Sequence, residues 1–471
     1  MQRTKLLILL GALSFFPTLW FYTVGEEGIY TLGSMEMWQS KDWLIQTVYG
    51  VNQQRPPLMS WLVIGIANLI GWSHVQLATR AVSAAATLGM IGWLYWLCRR
   101  LMYDRAFALF TALACLSLAD LLLYRGWLAY TDPLFSFFIF GAMATLWVGS
   151  VEQRRKLLLA SVVLISCALL TKALTAYVFY GTAAFVLLLH PTQRRFLLSP
   201  ASLLALALIV VAPIVWLTSI PQLSGQGTSL VAEIQHKLSD VDLADYFTRL
   251  VIYPFETALR LAPASLIALY LLLRRRHQLQ PDGAPRNFRT AWLIAALSIL
   301  PYWLVPHGGI RYILPAFPFV ALVCASLIWR AGASTQSLAL KWFGGMIALK
   351  FVLALIVFPY YQSHYRGENY SIAGHELVKK TSGYPVYDSY DCRDVAESVV
   401  TQINIDRWPQ ATVRTPPANW DNGFLLSQDT DERKGRLVER IRLGADEIYL
   451  LCRGAACQSP ALTKPSGKGA P

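Results

Sequence analysis

Long apolar runs separated by polar segments limit the fold of this chain more than any other feature. The runs at residues 6–24 and 75–97 match the roughly 20 residues that a helix needs to cross a bilayer. Hydrophobic residues make up 55% of the chain and charged residues only 15%, against roughly 25% charged in a soluble domain. Because the runs lack the polar face of an amphipathic helix, the sequence predicts a multi-pass α-helical membrane protein.

The net charge of +13 comes largely from basic residues at the ends of these runs, such as Arg99-Arg100 and Arg154-Arg155-Lys156. Cytoplasmic loops of membrane proteins carry such an excess of basic residues. A nucleic-acid-binding domain instead gathers them on one surface or along one helix. We therefore expect contact with membrane lipids and no nucleic-acid partner.

The placement of basic residues also gives a topology. With basic run ends in the cytoplasm, the chain is predicted to have about eleven transmembrane helices, with its N-terminus in the cytoplasm and its C-terminus on the opposite side. The first run shows no small-x-small cleavage site before residue 25, so we interpret it as a retained helix rather than a signal peptide. Residues 222–256 are expected to form a long polar loop.

The composition becomes polar after residue 361, which suggests a second domain. Residues 1–361, including a first extracytoplasmic loop at 25–57, are predicted to form the membrane domain. Residues 362–459 are predicted to form a small extracytoplasmic α/β domain, and the Pro-, Gly- and Lys-rich tail 460–471 is predicted to be disordered. The strand candidates are 385–390 and 447–452, and the helix candidates are 395–403 and 433–442.

The first loop is the most informative stretch of the sequence. From residue 25 it reads GEEGIYTLGSMEMWQSKDWLIQTVYGVNQQRPPLMSW. Glu26 and Glu27 lie where a spanning helix would leave the hydrocarbon, a depth at which carboxylates are costly unless they face a cavity or a cation. They are therefore candidate catalytic residues. The alternative is that they cap a helix end in the headgroup region.

The motifs GEEGIY, M-x4-D-W and RPPLMSW together resemble the first extracytoplasmic loop of bacterial GT-C membrane glycosyltransferases, in the protein mannosyltransferase and lipid A aminoarabinose transferase group. The resemblance implies a GT-C fold, Glu26 as the catalytic base and Arg55 as a ligand of the donor phosphate. Three positions depart from the family pattern. Glu26 stands in place of an aspartate, Ile29 in place of an arginine, and Gln54-Arg55 in place of a Glu-Lys pair.

Later segments also resemble motifs of this family. YRGWLAYTDPLFSFF implies a second catalytic acid at Asp132, while LLTKALTAYVF and HGGIRYILPAFP imply that Lys172, Arg311 and Tyr312 bind the donor phosphate. The predicted topology places these residues at the outer ends of spans. The alternatives are a helix N-cap for Asp132, a lysine that snorkels to the surface for Lys172, and a headgroup anchor for Arg311.

Carboxylates and cations of this kind suit the transfer of a sugar from a polyprenyl-phosphate donor. Cations stabilise the departing phosphate, and arginine can hold it through two hydrogen bonds. A carboxylate takes the proton of the attacking hydroxyl. Because phosphate is already a good leaving group, we expect one displacement with inversion at the anomeric carbon. The resemblance implies a bacterial inner membrane enzyme with its C-terminal domain in the periplasm; the sugar and the acceptor (lipid A, a protein or a surface glycan) stay open.

Two alternatives from other classes stay open as well. A transporter of a lipid-linked glycan would also place charges along a path through the membrane, but transporters commonly contain internal repeats, and none is visible here. A membrane scaffold would instead use the C-terminal domain to bind a partner.

Metal dependence is doubtful on the sequence. His74, His307 and His364 lack ligand spacing, and Gln54 replaces a family glutamate near the metal-binding set, so no cofactor is predicted and a divalent metal is the alternative. Of the seven cysteines, Cys392, Cys452 and Cys457 lie in the polar C-terminal part. An extracytoplasmic location there allows one disulfide and leaves one thiol.

Overall fold

The computed structural model describes most of the chain, and the account below is confined to those residues. They are 1–53, 55–102, 104–172, 174–219, 243–274, 287–306, 309–364, 370–389, 393–443 and 446–462.

The chain divides into two compact units. The first consists of Met1–Phe16 and Ser83–Val352, and the second of Pro17–Val82 and Leu353–Pro471. The helices are, in chain order, α1 Gln2–Leu13, α2 Gly28–Ser40, α3 Leu58–Ile70, α4 Val75–Leu101, α5 Arg105–Leu116, α6 Thr131–Glu152, α7 Arg155–Thr171, α8 Ala176–Leu188, α9 Pro191–Leu197, α10 Pro200–Ser219, α11 Leu243–Arg260, α12 Ala264–Arg274, α13 Phe288–Leu304, α14 Phe317–Arg330, α15 Ala333–Val352, α16 Phe358–His364, α17 Tyr370–Lys380 and α18 Arg393–Asp406.

Among the described residues, four helical stretches have the length and apolar composition to cross a membrane: Trp72–Leu101, Thr131–Glu152, Ile310–Arg330 and Ala333–Gln362. Three bent helix pairs raise the number to as many as 7. The core of the first unit lies around α6, which is buried over most of its length and packs against α7 and α8. The chain is therefore a helical protein with several candidate spans, and the count of about eleven stays a prediction.

The predicted span at 6–24 is not one continuous helix. Helix α1 ends at Leu13, and Pro17–Trp20 forms a separate 3-10 turn. The Ser14 hydroxyl donates to the carbonyl of Gly11 at 2.6 Å, and Pro17 has no N–H with which to continue the ladder. Local capping and a proline thus interrupt a run that is apolar throughout.

The predicted loop at 222–256 is partly wrong. Residues 220–242 lie outside the described part, but Leu243–Arg260 form α11. Its exposed apolar residues recur every four positions at Phe247, Val251, Phe255 and Leu259, which is the spacing of one helix face. The polar residues of this segment indicate a loop, whereas the four-residue spacing of its apolar residues indicates a helix.

The second unit combines the first loop with a mixed sheet. Two short strands of the first loop, β1 Thr47–Val48 and β2 Val51–Asn52, pair antiparallel. The four-stranded sheet has the order β3-β4-β6-β5, parallel between β3 and β4 and antiparallel elsewhere. Its strands are β3 Val386–Asp388, β4 Gly423–Ser427, β5 Arg436–Leu443 and β6 Asp446–Arg453.

The strand candidates at 385–390 and 447–452 and the helix candidate at 395–403 are confirmed as β3, β6 and α18, whereas the helix predicted at 433–442 is wrong. That segment forms β5, an edge strand paired with β6. Charged side chains are tolerated there because one edge of the strand faces solvent, and Val438 and Ile441 pack against the core. Cys452 and Cys457 form a disulfide, while Cys392 and residues 463–471 of the predicted disordered tail lie outside the described residues.

One hydrophobic core joins the first loop to the sheet and its helices. Leu32 of α2 and Val48 and Tyr49 of the hairpin belong to the same buried cluster as Val399 of α18 and Phe424 of β4. The first loop therefore has no separate core of its own, and its conformation depends on residues more than 300 positions away in sequence.

We expect Phe424→Ala to loosen the first loop as well as the sheet. Phe424 is 0% exposed, and truncating a buried phenylalanine costs about 3–5 kcal/mol. Thermal unfolding in detergent, with amide exchange of residues 28–52 and 370–462, measures the effect. Leu437→Ala, at a residue that is 40% exposed on β5, is the control. Exchange that rises in the sheet alone would contradict a shared core.

Candidate functional site

A fully buried ion pair holds the acidic turn of the first loop. Glu27 and Arg80 of α4 have side chains that are both 0% exposed, with Arg80 Nη2 2.5 Å from Glu27 Oε2 and Arg80 Nε 3.0 Å from Oε1. Arg80 also donates to the carbonyls of Phe21 and Tyr22. The Val24 N–H donates to Glu27 Oε2 at 2.8 Å. The pair thus fixes the backbone that leads into the turn to Glu27, the last residue of the turn.

Glu26 lies beside this pair in sequence but in a different environment. The 3-10 turn Gly25–Glu27 leads into α2, and Glu26 is exposed while Glu27 is buried. Gly25 has φ +58, a left-handed conformation that glycine adopts without steric cost. The turn therefore points two adjacent carboxylates to different surroundings, one towards solvent and one towards an arginine.

Arg55 lies at the end of the first loop, half-buried against Tyr30. Its guanidinium carbon is 5.2 Å from the centre of the Tyr30 ring. Its Nη1 atom is buried and has no hydrogen-bond partner within the described part of the chain. A buried donor without a partner is costly, so this nitrogen is suited to an anionic ligand. Gln54 lies outside the described residues.

In the first unit, Asp132 and Lys172 form an ion pair between Asp132 Oδ1 and Lys172 Nζ. Asp132 lies in the first turn of α6, where the helix dipole favours a negative charge, and Lys172 follows the last residue of α7. The N-cap residue of α6 is Tyr130, so Asp132 is not the N-cap that the alternative interpretation of the sequence allows. The side chains are 10% and 25% exposed, so a small ligand can still reach them.

Tyr312 and Arg311 extend this pair. Lys172 Nζ lies 5.3 Å and the Arg311 guanidinium 5.0 Å from the centre of the Tyr312 ring. Arg311 Nη2 donates to the Tyr312 hydroxyl at 3.0 Å. Four residues predicted from three sequence motifs thus lie in one continuous group. We call Asp132, Lys172, Arg311 and Tyr312 the Asp132 group.

Arg311 also lines a cavity of about 290 Å³ with three further arginines, and we call it the arginine cavity. Helix α11 contributes one wall and the turn Asp120–Arg125 another. Asp120 is 2.9 Å from Arg260 and 3.0 Å from Arg125. The four positive charges of the arginines and the two negative charges of Asp120 and Glu256 together give a formal charge of +2. The lining is Arg125, Arg249, Ile252, Tyr253, Glu256, Arg260, Gly309, Ile310 and Arg311.

Sequence reasoning missed Arg80, Asp120 and the arginines of α11. A signal was available for the first two, because both interrupt apolar runs, and charges inside such runs usually have a partner or a function. For Arg249 and Arg260 the signal was the four-residue period of α11, which places them on the polar face opposite Phe247 and Val251.

Among the described residues, no group of three or more His, Cys, Asp or Glu side chains is placed to hold a metal ion. Gln54 and His307, as well as the side chain of His364, lie outside that part of the chain.

We expect Arg80→Met to destabilise the protein strongly. Removing one partner of a buried ion pair leaves the other charge unpaired and costs about 3–5 kcal/mol. Arg433→Met is the matched control, since the Arg433 side chain is 90% exposed and pairs with Asp431 at the surface; such pairs contribute about 0–1 kcal/mol. Thermal unfolding in detergent compares the two. Equal melting temperatures would show that the Glu27–Arg80 pair does not fix the turn.

Part of the chain matches a known protein family. Residues 54–217 match the family model of dolichyl-phosphate-mannose-protein mannosyltransferases. No curated protein sequence matches the chain significantly.

Two solved structures resemble the chain over nearly its whole length. ArnT from Cupriavidus metallidurans in the apo state has a TM-score of 0.71 at 15% sequence identity, covering 98% of this chain and 99% of that chain. The same protein bound to undecaprenyl phosphate has a TM-score of 0.72, again at 15% identity with 98% and 99% coverage. The resemblance to the protein mannosyltransferase and lipid A aminoarabinose transferase group is thus confirmed, and the chain has the ArnT fold.

Proposed function

We propose that this chain is a GT-C glycosyltransferase that moves a sugar from a polyprenyl-phosphate donor to an extracytoplasmic acceptor. In this proposal it lies in the bacterial inner membrane with about eleven transmembrane helices, and residues 362–459 form an α/β domain in the periplasm. The acceptor is a lipid such as lipid A, a protein or a surface glycan.

The arginine cavity is the observation that carries the proposal. Helix α11 presents Arg249, Glu256 and Arg260 to the cavity, while its opposite face exposes Phe247 and Phe255, which are 62% and 71% exposed. An amphipathic helix of this kind lies with its apolar face in lipid. A charged cavity beside such a face suits a ligand that has a phosphate head and a hydrocarbon tail.

The charges of the cavity support the phosphate end of this ligand. Arginine binds phosphate through paired donors, and the excess charge of +2 matches a phosphodiester and the phosphate monoester that it becomes. Arg311 belongs both to the cavity and to the Asp132 group. We therefore assign Lys172, Arg311 and Tyr312 to the phosphate, together with Arg55, whose buried Nη1 atom has no hydrogen-bond partner in the described chain.

The reaction follows from these charges. The oxygen of an acceptor hydroxyl attacks the anomeric carbon while the bond from that carbon to the phosphate oxygen breaks, and the electron pair stays on the phosphate. Cations neutralise the charge that develops on the departing oxygen. A carboxylate accepts the hydroxyl proton. The displacement has one step, so the configuration at the anomeric carbon is inverted.

The exposed position of Glu26 favours it as the base that accepts this proton. Glu27 is paired with Arg80 and fully buried, so its proposed contribution is to orient the turn that carries Glu26. Asp132 is the second proposed catalytic acid, and its contact with Lys172 holds the ammonium group in place until a phosphate competes for it.

The likeness to ArnT supports the class of donor. A structure with this fold has been solved with undecaprenyl phosphate bound, and the family model that matches residues 54–217 describes enzymes that use a dolichyl-phosphate sugar. Both are polyprenyl phosphates. Mass spectrometry of lipid A, surface polysaccharide and exported proteins, with and without this chain, tests the function. No sugar-bearing product that depends on the chain would refute it.

We expect Glu26→Gln to reduce the chain-dependent product at least about 100-fold, the usual contribution of a general base. Asp132→Asn is expected to reduce it as well, because Lys172 loses the carboxylate charge that holds its ammonium group. The substitutions remove a charge without changing the shape of the side chain. Glu152→Gln at the other end of α6 is the control, because Glu152 forms ion pairs with the partly exposed Arg100 and Arg154. The product measured in a deletion strain that carries each variant gives the result. Full activity of both variants would contradict the assigned roles.

Arg311→Ala is expected to weaken the binding of undecaprenyl phosphate about 10–100-fold, as the loss of a charge-assisted hydrogen bond does. Arg311 is exposed, so the fold is expected to tolerate the change. Native mass spectrometry with undecaprenyl phosphate, and with undecaprenol as the ligand that lacks phosphate, measures the effect. Arg194→Ala on the exposed part of α9 is the control. Equal loss of both ligands would show that the arginine does not recognise phosphate.

A further inference from the structure

A carboxylate from the far end of the chain contacts the acidic turn of the first loop. Glu397 of α18 accepts a hydrogen bond from the Ile29 N–H at 2.6 Å, across 368 positions of sequence. Glu397 is 5% exposed. Ile29 is the second residue of α2 and lies three positions after Glu26.

This contact supplies a hydrogen-bond acceptor for an N–H group at the start of α2. The first N–H groups of a helix have no partner within the helix, and an acidic group near them is favourable. The Glu27 carboxylate already pairs with Arg80 and accepts a hydrogen bond from the Val24 N–H. Glu397 therefore accepts the hydrogen bond from the Ile29 N–H. The exposed carboxylate of Glu26 is then not needed as a cap for this helix end.

Close packing fixes the start of α2 against α18. A Cβ atom placed on Gly28 would lie 2.5 Å from Thr401 Oγ1 and 2.8 Å from Glu397 Cγ. Since real Cβ atoms do not approach other atoms so closely, a larger residue at position 28 would push the two helices apart. The absence of a side chain at Gly28 is thus what allows Glu397 to reach the amide of Ile29.

Further contacts hold the rest of the first loop to the C-terminal segment, residues 370–462. Gln39 near the end of α2 donates to the carbonyl of Gln410 at 2.7 Å and accepts from the Thr412 N–H at 3.2 Å. The Tyr49 carbonyl accepts from the Thr415 N–H at 3.2 Å. With Leu32 in the shared core, α2 is held at its start, middle and end.

We propose that the C-terminal segment builds the catalytic turn, and that Glu397 is a positioning residue for Glu26. This inference rests on the proposed function. A base must lie within hydrogen-bond reach of the hydroxyl that it deprotonates, and a displacement of about 1 Å can reduce a rate about 100-fold. The segment therefore contributes to catalysis by fixing the start of α2, without itself touching the substrate.

The test compares three variants of the full-length protein. Glu397→Ala removes the acceptor for the Ile29 amide and is expected to reduce the chain-dependent product about 100-fold, with binding of undecaprenyl phosphate unchanged. Glu397→Gln keeps an oxygen that accepts the bond and is expected to restore most of the product. Glu439→Ala is the control, since it breaks the ion pair with Lys380 in the same segment, where Nζ is 2.6 Å from Oε2.

Amide exchange at Ile29 separates the two proposals. In Glu397→Ala we expect exchange there to quicken at least tenfold, and in Glu397→Gln and Glu439→Ala to stay as in the parent protein. Unchanged exchange in Glu397→Ala, or faster exchange with undiminished product, would overturn the positioning role. If no product depends on the chain while exchange responds as expected, the contact stands and the proposed glycosyltransferase function fails.

Discussion

The buried pair of Glu27 and Arg80 is the interaction on which the first loop depends. Two charges removed from water need close geometry and further hydrogen bonds to offset the loss of hydration. Arg80 meets this need because two of its nitrogens bind the Glu27 carboxylate. Its guanidinium group also donates hydrogen bonds to the carbonyls that precede the turn. The same bonds fix the direction of the chain after Pro17, so a stabilising pair also decides which of two adjacent glutamates faces solvent.

The first loop and the C-terminal segment form one structure in the second unit, although they lie at opposite ends of the sequence. They share a hydrophobic core, and hydrogen bonds join them at both ends of α2. The α/β part of the chain supplies most of the apolar surface on which the first loop packs. A polar loop of some thirty residues has too little apolar surface to fold alone. In the first unit, by contrast, the Asp132 group is assembled from the start of α6, the end of α7 and the 3-10 segment Ile310–Ala316.

The amphipathic character of α11 lets one helix carry several arginines on one face and exposed apolar residues on the other. The polar face places Arg249 and Arg260 beside carboxylates and backbone carbonyls, so their charges are compensated, while Phe247 and Val251 cover the opposite face. The formal charge of the cavity lining stays positive, while Arg249 and Arg260 keep hydrogen-bond partners. In the proposed function, these charges hold the phosphate of the donor.

The sequence by itself determined the class of fold and much of the candidate site, because apolar runs and short motifs are local properties. It indicated a helical membrane protein, a resemblance to the protein mannosyltransferase and lipid A aminoarabinose transferase group, and Asp132, Lys172, Arg311 and Tyr312, which the structure brings into one group. Only the tertiary structure decided that Glu27 is buried against Arg80, that Arg436–Leu443 is a strand, and that Glu397 reaches Ile29. The two glutamate contacts depend on partners 53 and 368 positions away in sequence, and no local pattern encodes which distant group a carboxylate will meet. The strand depends on antiparallel pairing with β6, which the charged residues of the segment alone do not indicate.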